Sequence, residues 1–177
     1  MKIIHTPNDV LLKKAAPVEK ITKEVEQIIA DMKVALKGSS IGIGLAAPQV
    51  GISLQIFLAA PTLQEKRKTE APIYVFINPE IVSFMGQVKK PDDKALEGCL
   101  SIPDVWGPVS RNEIVKLKYM DEKGRVRQRT FNGLMSTIVQ HEVDHLNGTL
   151  FTHRVIEQNG HLYRVNPETE KLEEIEM

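Results

Sequence analysis

Residues 140–148 read Gln-His-Glu-Val-Asp-His-Leu-Asn-Gly and combine three side chains that could carry out chemistry together. His141 and His145 are four residues apart, which on an α-helix places both imidazoles on one face, one turn apart. Two such imidazoles can bind one divalent metal ion, and Glu142 can act as a general base toward a water that the metal activates. The pattern predicts metal-assisted hydrolysis.

The flanking residues predict that this segment is a largely buried helix. Asn132-Gly133 is typical of a helix start and Asn147-Gly148 of a helix end. Burying His and Glu on such a helix is costly unless a partner such as a metal satisfies them. Asp144 could orient a ligand, cap the helix or be solvated, and the sequence leaves this open. The residues that recur at helical spacing are Leu134, Ile138, Val139, Val143 and Leu146.

A third metal ligand must come from outside the helix. His153, Glu157 and His161 lie downstream, but the His-x-x-Gly-x-x-His continuation of the metzincins is missing. Cys99 is the only cysteine in the chain. A lone cysteine is most often a small buried apolar residue. A thiolate with two imidazoles nevertheless makes a sound catalytic site with one coordination position open, so Cys99 is a candidate for the third ligand.

A second small-residue block, Gly-Ile-Gly-Leu-Ala-Ala-Pro-Gln, occupies residues 42–49. It lacks the complete Gly-x-Gly-x-x-Gly and the Gly-Lys-Ser/Thr ending of nucleotide-binding loops, which argues against nucleotide binding. Its glycines and alanines allow close approach of a substrate or of a neighbouring helix. Gln49 is a candidate amide donor to an oxyanion; the alternative is a tight loop in which Gln49 is merely solvated.

Together these blocks resemble the peptide deformylase family. The matching stretches are residues 42–49, Glu97-Gly98-Cys99-Leu100-Ser101, and Gln140-His141-Glu142-x-x-His145, in the family's order and spacing. The resemblance covers roughly residues 1–155. It implies a metal-dependent hydrolase that removes the formyl group from the N-terminal formyl-methionine of newly synthesised polypeptides.

The resemblance also implies the role of each matching residue. One divalent ion per chain would be held by Cys99, His141 and His145; Fe(II) is expected in the cell, and Zn(II), Ni(II) or Co(II) could occupy the same site. Glu142 would move the proton, while the Gln49 side chain and the Leu100 backbone N–H would donate to the oxyanion.

Substrate is expected to bind as an extended strand along Ile43-Gly44 and Gly98. The methionine side chain needs an apolar pocket. The candidates for its lining are Ile43, Leu100, Leu134 and Ile138, because they lie in or near the matching motifs. Glu97 could pair with Arg111 and hold the loop near the cysteine; the alternative is an ordinary surface pair.

Two residues depart from the family pattern. Trp106 stands where many members carry an arginine, so a cation is lost and an indole that could pack on substrate side chains is gained. His153 stands where aspartate is usual, and we expect a structural role for it rather than ligation.

Composition bounds the class of protein and its compartment. The chain has 177 residues and no net charge, so we expect a single catalytic domain, residues 1–177, without a strong global attraction to nucleic acid or to anionic membranes. One cysteine excludes an intrachain disulfide and suits a reducing cytosol. With neither a signal peptide nor a transmembrane run, the expected location is cytoplasmic. The expected partners are formyl-Met ends of nascent chains, with transient ribosome contact, no direct nucleic-acid specificity and no membrane.

The element pattern predicts an α+β fold with antiparallel β-strands packed around a central metal-binding helix, and the resemblance implies that this fold is peptide deformylase-like. The Asp121–Gly124 turn predicts a hairpin, and Arg125, Arg127 and Arg129 are expected on the solvent face of a sheet edge. Proline 167 and the β-type composition before it predict terminal strands rather than a C-terminal helix. The predicted helices span 9–14 and 23–37, the predicted strands 54–59, 73–77, 80–88, 113–120, 124–131, 160–165 and 171–175, and the predicted loops 61–71 and 89–95.

Two rival functions remain open. The HExxH pattern alone would also suit a zinc endopeptidase, for which Cys99 would not be needed to bind the metal. A non-enzymatic ribosome- or peptide-binding relative is the other alternative. The presence of Gln49, Cys99, Glu142 and both histidines argues against it.

Overall fold

The computed structural model describes residues 1–39, 41–61, 72–89, 96–166, 169 and 171–175. Within these residues, three α-helices pack with nine strands in two antiparallel sheets. The helices are α1 (Lys23–Gly38), α2 (Gly133–Leu146) and α3 (Phe151–Glu157), and two short 3-10 helices span Asp9–Leu12 and Ala47–Val50.

The larger sheet has five strands, which pair in the order β1 (Gly44–Ala46), β2 (Ile56–Ala59), β3 (Tyr74–Lys89), β6 (Arg111–Met120) and β7 (Val126–Asn132). Every residue of β2 is buried, because helices cover both faces of the sheet there. On one face, α1 packs its residues Ile29, Met32 and Leu36 against Ile56 and Leu58.

The opposite face of this sheet carries the central helix. Phe57 and Phe76 stack with ring centroids 4.5 Å apart and share a buried cluster with Ile138 and Val139 of α2. Burying an aromatic side chain of this kind is worth about 1.5–3 kcal/mol, so the cluster anchors α2 firmly. His141 and His145 lie on an adjacent face of α2, and that face is directed at the second sheet.

The smaller sheet has four strands in the order β4-β5-β8-β9. Its strands are β4 (Glu97–Cys99), β5 (Ile102–Gly107), β8 (Tyr163–Val165) and β9 (Leu172–Glu174). Phe151 and Val155 of α3 pack under it with Cys99 and Val109. β4 is an edge strand, so one side of its backbone is not paired within this sheet.

The predicted fold class is confirmed, including strands rather than a helix as the last described elements. The predicted amphipathic helix, the hairpin around Asp121–Gly124 and the helix from 133 to 146 are all present. Arg127 and Arg129 lie on the edge strand β7, as predicted, whereas Arg125 directly precedes that strand. The predicted loops at 61–71 and 89–95 fall, apart from their first residues, outside the described part of the chain.

One prediction of strand boundaries was wrong. The segments 73–77 and 80–88 form one continuous strand, β3, and Asn78-Pro79 bends it without ending it. Asn78 takes a φ of 48°, and its side chain bonds both the N–H and the C=O of Val18 at 2.8 Å. The pairing with β6 shifts register between Ile77 and Glu80, so Pro79 falls at a bulge, where its missing N–H is tolerated.

Four elements were not predicted: β1, the following 3-10 helix, β5 and α3. The Gly-rich block gives no strand prediction, because its three-residue strand is too short to show an alternating pattern. None of the helices in the described part of the chain combines the length and the apolar character that a membrane crossing requires.

Candidate metal centre and its pocket

Three predicted ligands converge between the two sheets. Cys99 ends β4, while His141 and His145 lie on the face of α2 that is turned toward it. The ligand atoms of the three residues all lie within 4.8 Å of one another, and Cys99 Sγ is 3.2 Å from His145 Nε2. The ring of Phe151 lies against that of His141, with centroids 6.3 Å apart, so α3 supports the site from below.

The donor set fits a divalent metal ion. Ligand atoms around a tetrahedral metal with bonds of about 2.0–2.3 Å lie about 3.5 Å apart, close to the separation found here. One thiolate and two imidazoles leave a fourth position open in such a geometry. Glu142 Oε2 lies buried beside them and has no hydrogen-bond partner among the described residues, which is the arrangement expected where a small ligand belongs.

A chain of buried charges backs His141. Nδ1 of His141 lies 2.9 Å from Glu97 Oε2, and Glu97 receives two parallel hydrogen bonds from Arg111 at 2.8 and 2.9 Å. Arg111 also donates to Asp144 at 2.6 Å, and Asp144 accepts from Arg154 of α3 at 2.6 and 3.1 Å. The predicted Glu97–Arg111 pair therefore exists, and it is buried rather than an ordinary surface pair.

Asp144, whose role the sequence left open, neither caps α2 nor faces solvent. Its side chain is 11% exposed and joins Arg111 to Arg154. The unit contains two carboxylates and two guanidinium groups, so it is close to electrically neutral without the metal. Buried ion pairs of this kind offset their desolvation only when the geometry is good and each charge is hydrogen-bonded, as here.

Burial and these partners shift the pKa values of the site in opposite directions. Burial alone would raise the pKa of Glu97, but hydrogen bonds from Arg111 and His141 outweigh it and hold the pKa at about 2. Burial would lower the pKa of His141, but Cys99 and Glu97 raise it well above its usual value. Burial and the neighbouring His141 charge lower the pKa of His145 well below the usual value. Metal binding therefore competes with protonation of His141.

Glu142 lies in the same pocket and is only 3% exposed. Burial, with a smaller contribution from the charge of Glu97, raises the pKa of Glu142 to about 7. A carboxyl group with this pKa can both accept and return a proton near neutral pH. Gly44 of β1 faces it so closely that a Cβ atom there would collide with the Glu142 carboxylate.

Gln49 is fixed with its amide group toward the sulfur. Its Oε1 accepts the Ala46 N–H at 2.8 Å, so its Nε2 is directed at Cys99 Sγ, 3.4 Å away. The Ser101 N–H also reaches this sulfur at 3.4 Å. Gln49 is 2% exposed and is therefore not the solvated loop residue that the sequence left as an alternative.

A cavity of about 240 Å³ opens beside these groups. All of the predicted substrate residues line it; Ile138 is 4% exposed at its base and Leu134 is 52% exposed at its mouth. The lining is mostly apolar, as a methionine side chain would need. The predicted residues that line it together with Cys99, His141 and Glu142 are Ile43, Gly44, Gln49, Gly98, Leu100, Trp106, Leu134 and Ile138.

The sequence did not predict part of the lining of this cavity. Residues 102–105 follow Ser101 directly and form a continuous strip of the lining, but nothing in their types indicates a site. Ile41 and Thr137 complete the mouth. Arg154 was also missed, because its link to the centre runs through Asp144 and depends on how α3 turns back along α2. His153 lies outside the pocket, and its Nδ1 accepts the Leu150 N–H at 3.3 Å at the start of α3.

Comparison with known proteins gives a consistent family. The sequence model described as polypeptide deformylase matches residues 1–161. A peptide deformylase of Pelodictyon phaeoclathratiforme is 40% identical over 148 residues, covering 84% of this chain and 75% of the relative. One from Dictyoglomus turgidum is 40% identical over 159 residues, covering 90% and 95%.

Solved structures agree with these sequence matches. A peptide deformylase from Synechococcus elongatus, in complex with actinonin, superposes with a TM-score of 0.78 at 40% identity, covering 86% of this chain and 79% of that one. A Met-Ala-Ser-bound class I type b peptide deformylase from Acinetobacter baumannii gives a TM-score of 0.75 at 38% identity, covering 87% and 97%.

Proposed function

The chain belongs to the polypeptide deformylase family, and we propose that the pocket between β4 and α2 is where it carries out the family's reaction. It is a metal-dependent hydrolase that removes the formyl group from the N-terminal formyl-methionine of newly synthesised polypeptides. The observation that carries the assignment of the site is the convergence of Cys99, His141 and His145 beside the buried carboxylate of Glu142.

In this proposal Cys99, His141 and His145 hold one divalent ion, which when bound supplies a Lewis acid and an activated water. Fe(II) is the ion proposed for the cell, with Zn(II), Ni(II) or Co(II) able to occupy the same donors. Glu97 accepts the Nδ1–H of His141, which fixes the tautomer and leaves Nε2 free to coordinate. The thiolate of Cys99 is stabilised by the N–H groups of Gln49 and Ser101.

Glu142 acts as the proton carrier. Its carboxylate accepts the proton of the attacking water and returns it to the amine that leaves when the formyl C–N bond breaks. The Gln49 side chain and the Leu100 backbone N–H donate to the oxygen of the formyl group as negative charge develops on it. Losing one such donor typically costs about 3–4 kcal/mol of transition-state stabilisation.

The substrate is placed as an extended chain between two backbone edges. β4 is an edge strand of its sheet, and Ile43-Gly44 lies across the cavity from it. A peptide can add its own hydrogen bonds to such an edge while alternate side chains enter the pocket. The methionine side chain would lie among Ile43, Leu100, Leu134 and Ile138.

Several wider properties follow as proposals from this reaction. Residues 1–177 act as a single catalytic domain in a cytoplasm where formyl-Met chains are made. Contact with the ribosome is transient, because each nascent chain is processed once as it emerges. Neither nucleic-acid sequence nor a membrane takes part in recognition.

The test is deformylation of formyl-Met-Ala-Ser by anaerobically purified protein loaded with Fe(II), alongside Cys99→Ala and Glu142→Ala. We expect turnover to be lost in both variants, with metal retained only in Glu142→Ala. No turnover by fully metallated wild-type protein would refute the proposed function. A zinc endopeptidase would instead keep its metal in Cys99→Ser and cleave internal peptide bonds.

A further inference from the structure

The strands β8 and β9 form a hairpin that lies beyond the family region of the chain. The family match ends at residue 161, whereas β8 begins at Tyr163 and β9 ends at Glu174. The two arms of the hairpin are nevertheless joined by a backbone hydrogen bond and an ion pair. The Ile175 N–H bonds Leu162 O at 2.8 Å, and His161 pairs with Glu174 at 2.6 Å.

This hairpin extends the sheet that carries the metal ligand Cys99. β8 pairs with β5, with Val105 opposite Arg164 and Trp106 opposite Tyr163. At its start, Leu162 packs beside Gly107 into the cluster around Val155. The hairpin is thus attached to the strand that forms the outer wall of the pocket.

Trp106 is the largest side chain in that wall. On its inner side, the six-membered part of its ring lies on Gly98, where an added Cβ atom would come within 2.6 Å of the ring. Trp106 is paired with Gly98 through the backbone on one side and with Tyr163 on the other. Its position therefore depends on both neighbouring strands, one inside and one outside the family region.

The charges in the wall that β5 forms determine which substrate side chains this wall can contact. Neither lysine nor arginine is among the described residues that line the cavity. The exposed charge at the mouth is the carboxylate of Asp104, and the rest of this wall is Ile102, Pro103, Val105 and Trp106. Such a surface suits apolar side chains and repels acidic ones.

We propose that the C-terminal hairpin is a positioning element that holds Trp106 as the specificity-determining wall for the residues that follow the formyl-methionine. The preferred substrates are formyl-Met chains with large apolar side chains in the next two positions. The inference rests on the proposed function of this pocket, and it concerns selection among formyl-Met peptides, not the chemistry at the formyl group.

The test compares two peptides, formyl-Met-Leu-Phe and formyl-Met-Ala-Ser, in the full-length metallated enzyme. The key variant is Arg164→Pro, because β8 lies between two strands and each of its N–H groups points to one of them. Arg164→Val is the matched control, since it removes the same side chain and keeps the N–H. The emission of Trp106, the sole tryptophan of the chain, reports its surroundings independently of turnover.

We expect wild-type enzyme and Arg164→Val to favour formyl-Met-Leu-Phe by about tenfold in kcat/KM. In Arg164→Pro the emission of Trp106 should shift to longer wavelength. The ratio of the kcat/KM values for the two peptides should fall toward one because KM changes, while kcat for formyl-Met-Ala-Ser is retained. Trp106→Ala should lose the same preference and Trp106→Phe should keep most of it.

Equal kcat/KM for the two peptides in the wild type, or an unchanged preference in Trp106→Ala, would overturn the inference while leaving the deformylase function standing. Unchanged emission and preference in Arg164→Pro would remove the role of the hairpin. Failure of wild-type enzyme on both peptides would instead count against the proposed function itself.

Discussion

Glu97 Oε2 lies 2.9 Å from Nδ1 of His141, although the two residues are 44 positions apart in the chain. The contact joins the strand that ends in Cys99 to the helix that carries both histidines. Arg111 holds the other side of the same carboxylate with two hydrogen bonds. The orientation of one proposed ligand is thus set by the strand that supplies another, so the two cannot be displaced independently.

Replacing Glu97 with Gln should weaken metal binding by about 10- to 100-fold, because the amide no longer fixes the His141 tautomer or its orientation. The measurement is competition for Zn(II) or Co(II) with a chelator. Glu122→Gln, an exposed residue paired with Lys33, is the matched control and should bind metal as the wild type does. Equal affinity in both variants would show that Glu97 does not orient the ligand.

The same residue should make the protein sensitive to acid. The pKa of Glu97 falls from 4.5 to about 2 on folding, so its contribution to stability is complete above pH 4.5 and is lost as the pH falls toward 2. A shift of this size corresponds to roughly 3 kcal/mol. Urea unfolding of metal-free protein should lose stability over this interval in the wild type. In Glu97→Gln the loss should be smaller by about that amount, and parallel curves would contradict the assignment.

Gly44→Ala should lower kcat strongly, because the new Cβ atom would collide with the Glu142 carboxylate. A displacement of about 1 Å in a reacting group can cost around 100-fold in rate. Metal content should stay unchanged, since the three heavy atoms nearest to the added Cβ atom all belong to Glu142 and not to a proposed ligand. Gly38→Ala, where a Cβ atom meets nothing within 4 Å, is the control, and similar kcat values for the two variants would sink the argument.

Glu142→Gln should remove activity and at the same time stabilise the metal-free chain. Because burial raises the pKa of Glu142 from 4.5 to about 7, its ionised form destabilises the fold above pH 7, and the penalty disappears as the pH falls to 4.5. At pH 8 the variant should gain of order 3 kcal/mol in unfolding free energy, with no gain below pH 4.5.

Activity supplies the second measurement on the same variant. Loss of a general base typically lowers kcat by about 100- to 10,000-fold. In the wild type, activity should fall on the acid side as Glu142 becomes protonated, and the nearby metal should move that limb below pH 7. A wild-type rate in Glu142→Gln would exclude the proposed role.

The sequence predicted the elements whose residues repeat with a clear period. α1 and α2 have apolar residues at helical spacing and Asn or Gly at their ends, and β6 and β7 alternate around a four-residue turn. The bend at Asn78 escaped prediction, because it depends on a side chain that bonds Val18, 60 residues earlier. The short strand at Gly44 likewise depends on its partner β2 and not on its own composition.

The residues of the site likewise divide into those that the sequence could predict and those that it could not. Cys99, His141, His145 and Glu142 could be named because their types are rare in such spacing and only a few arrangements satisfy them. The strip from Ile102 to Val105 could not, because apolar residues are common and only the path of β5 brings them to the cavity. Arg154 acts through Asp144, a contact that α3 creates by folding back on α2.

His141 and His145 are one turn apart on α2, whereas β5, β6 and β7 lie between Cys99 and that helix along the chain. A metal held by all three residues would therefore join two distant segments of the chain and close the long loop between them, as a cross-link does. Such a closure restricts the unfolded chain and makes unfolding depend on the concentration of free metal. Removing the metal with a chelator should consequently release β4 of the smaller sheet from α2 and lower the thermal stability. Thermal stability should therefore report metal loading before any substrate is added.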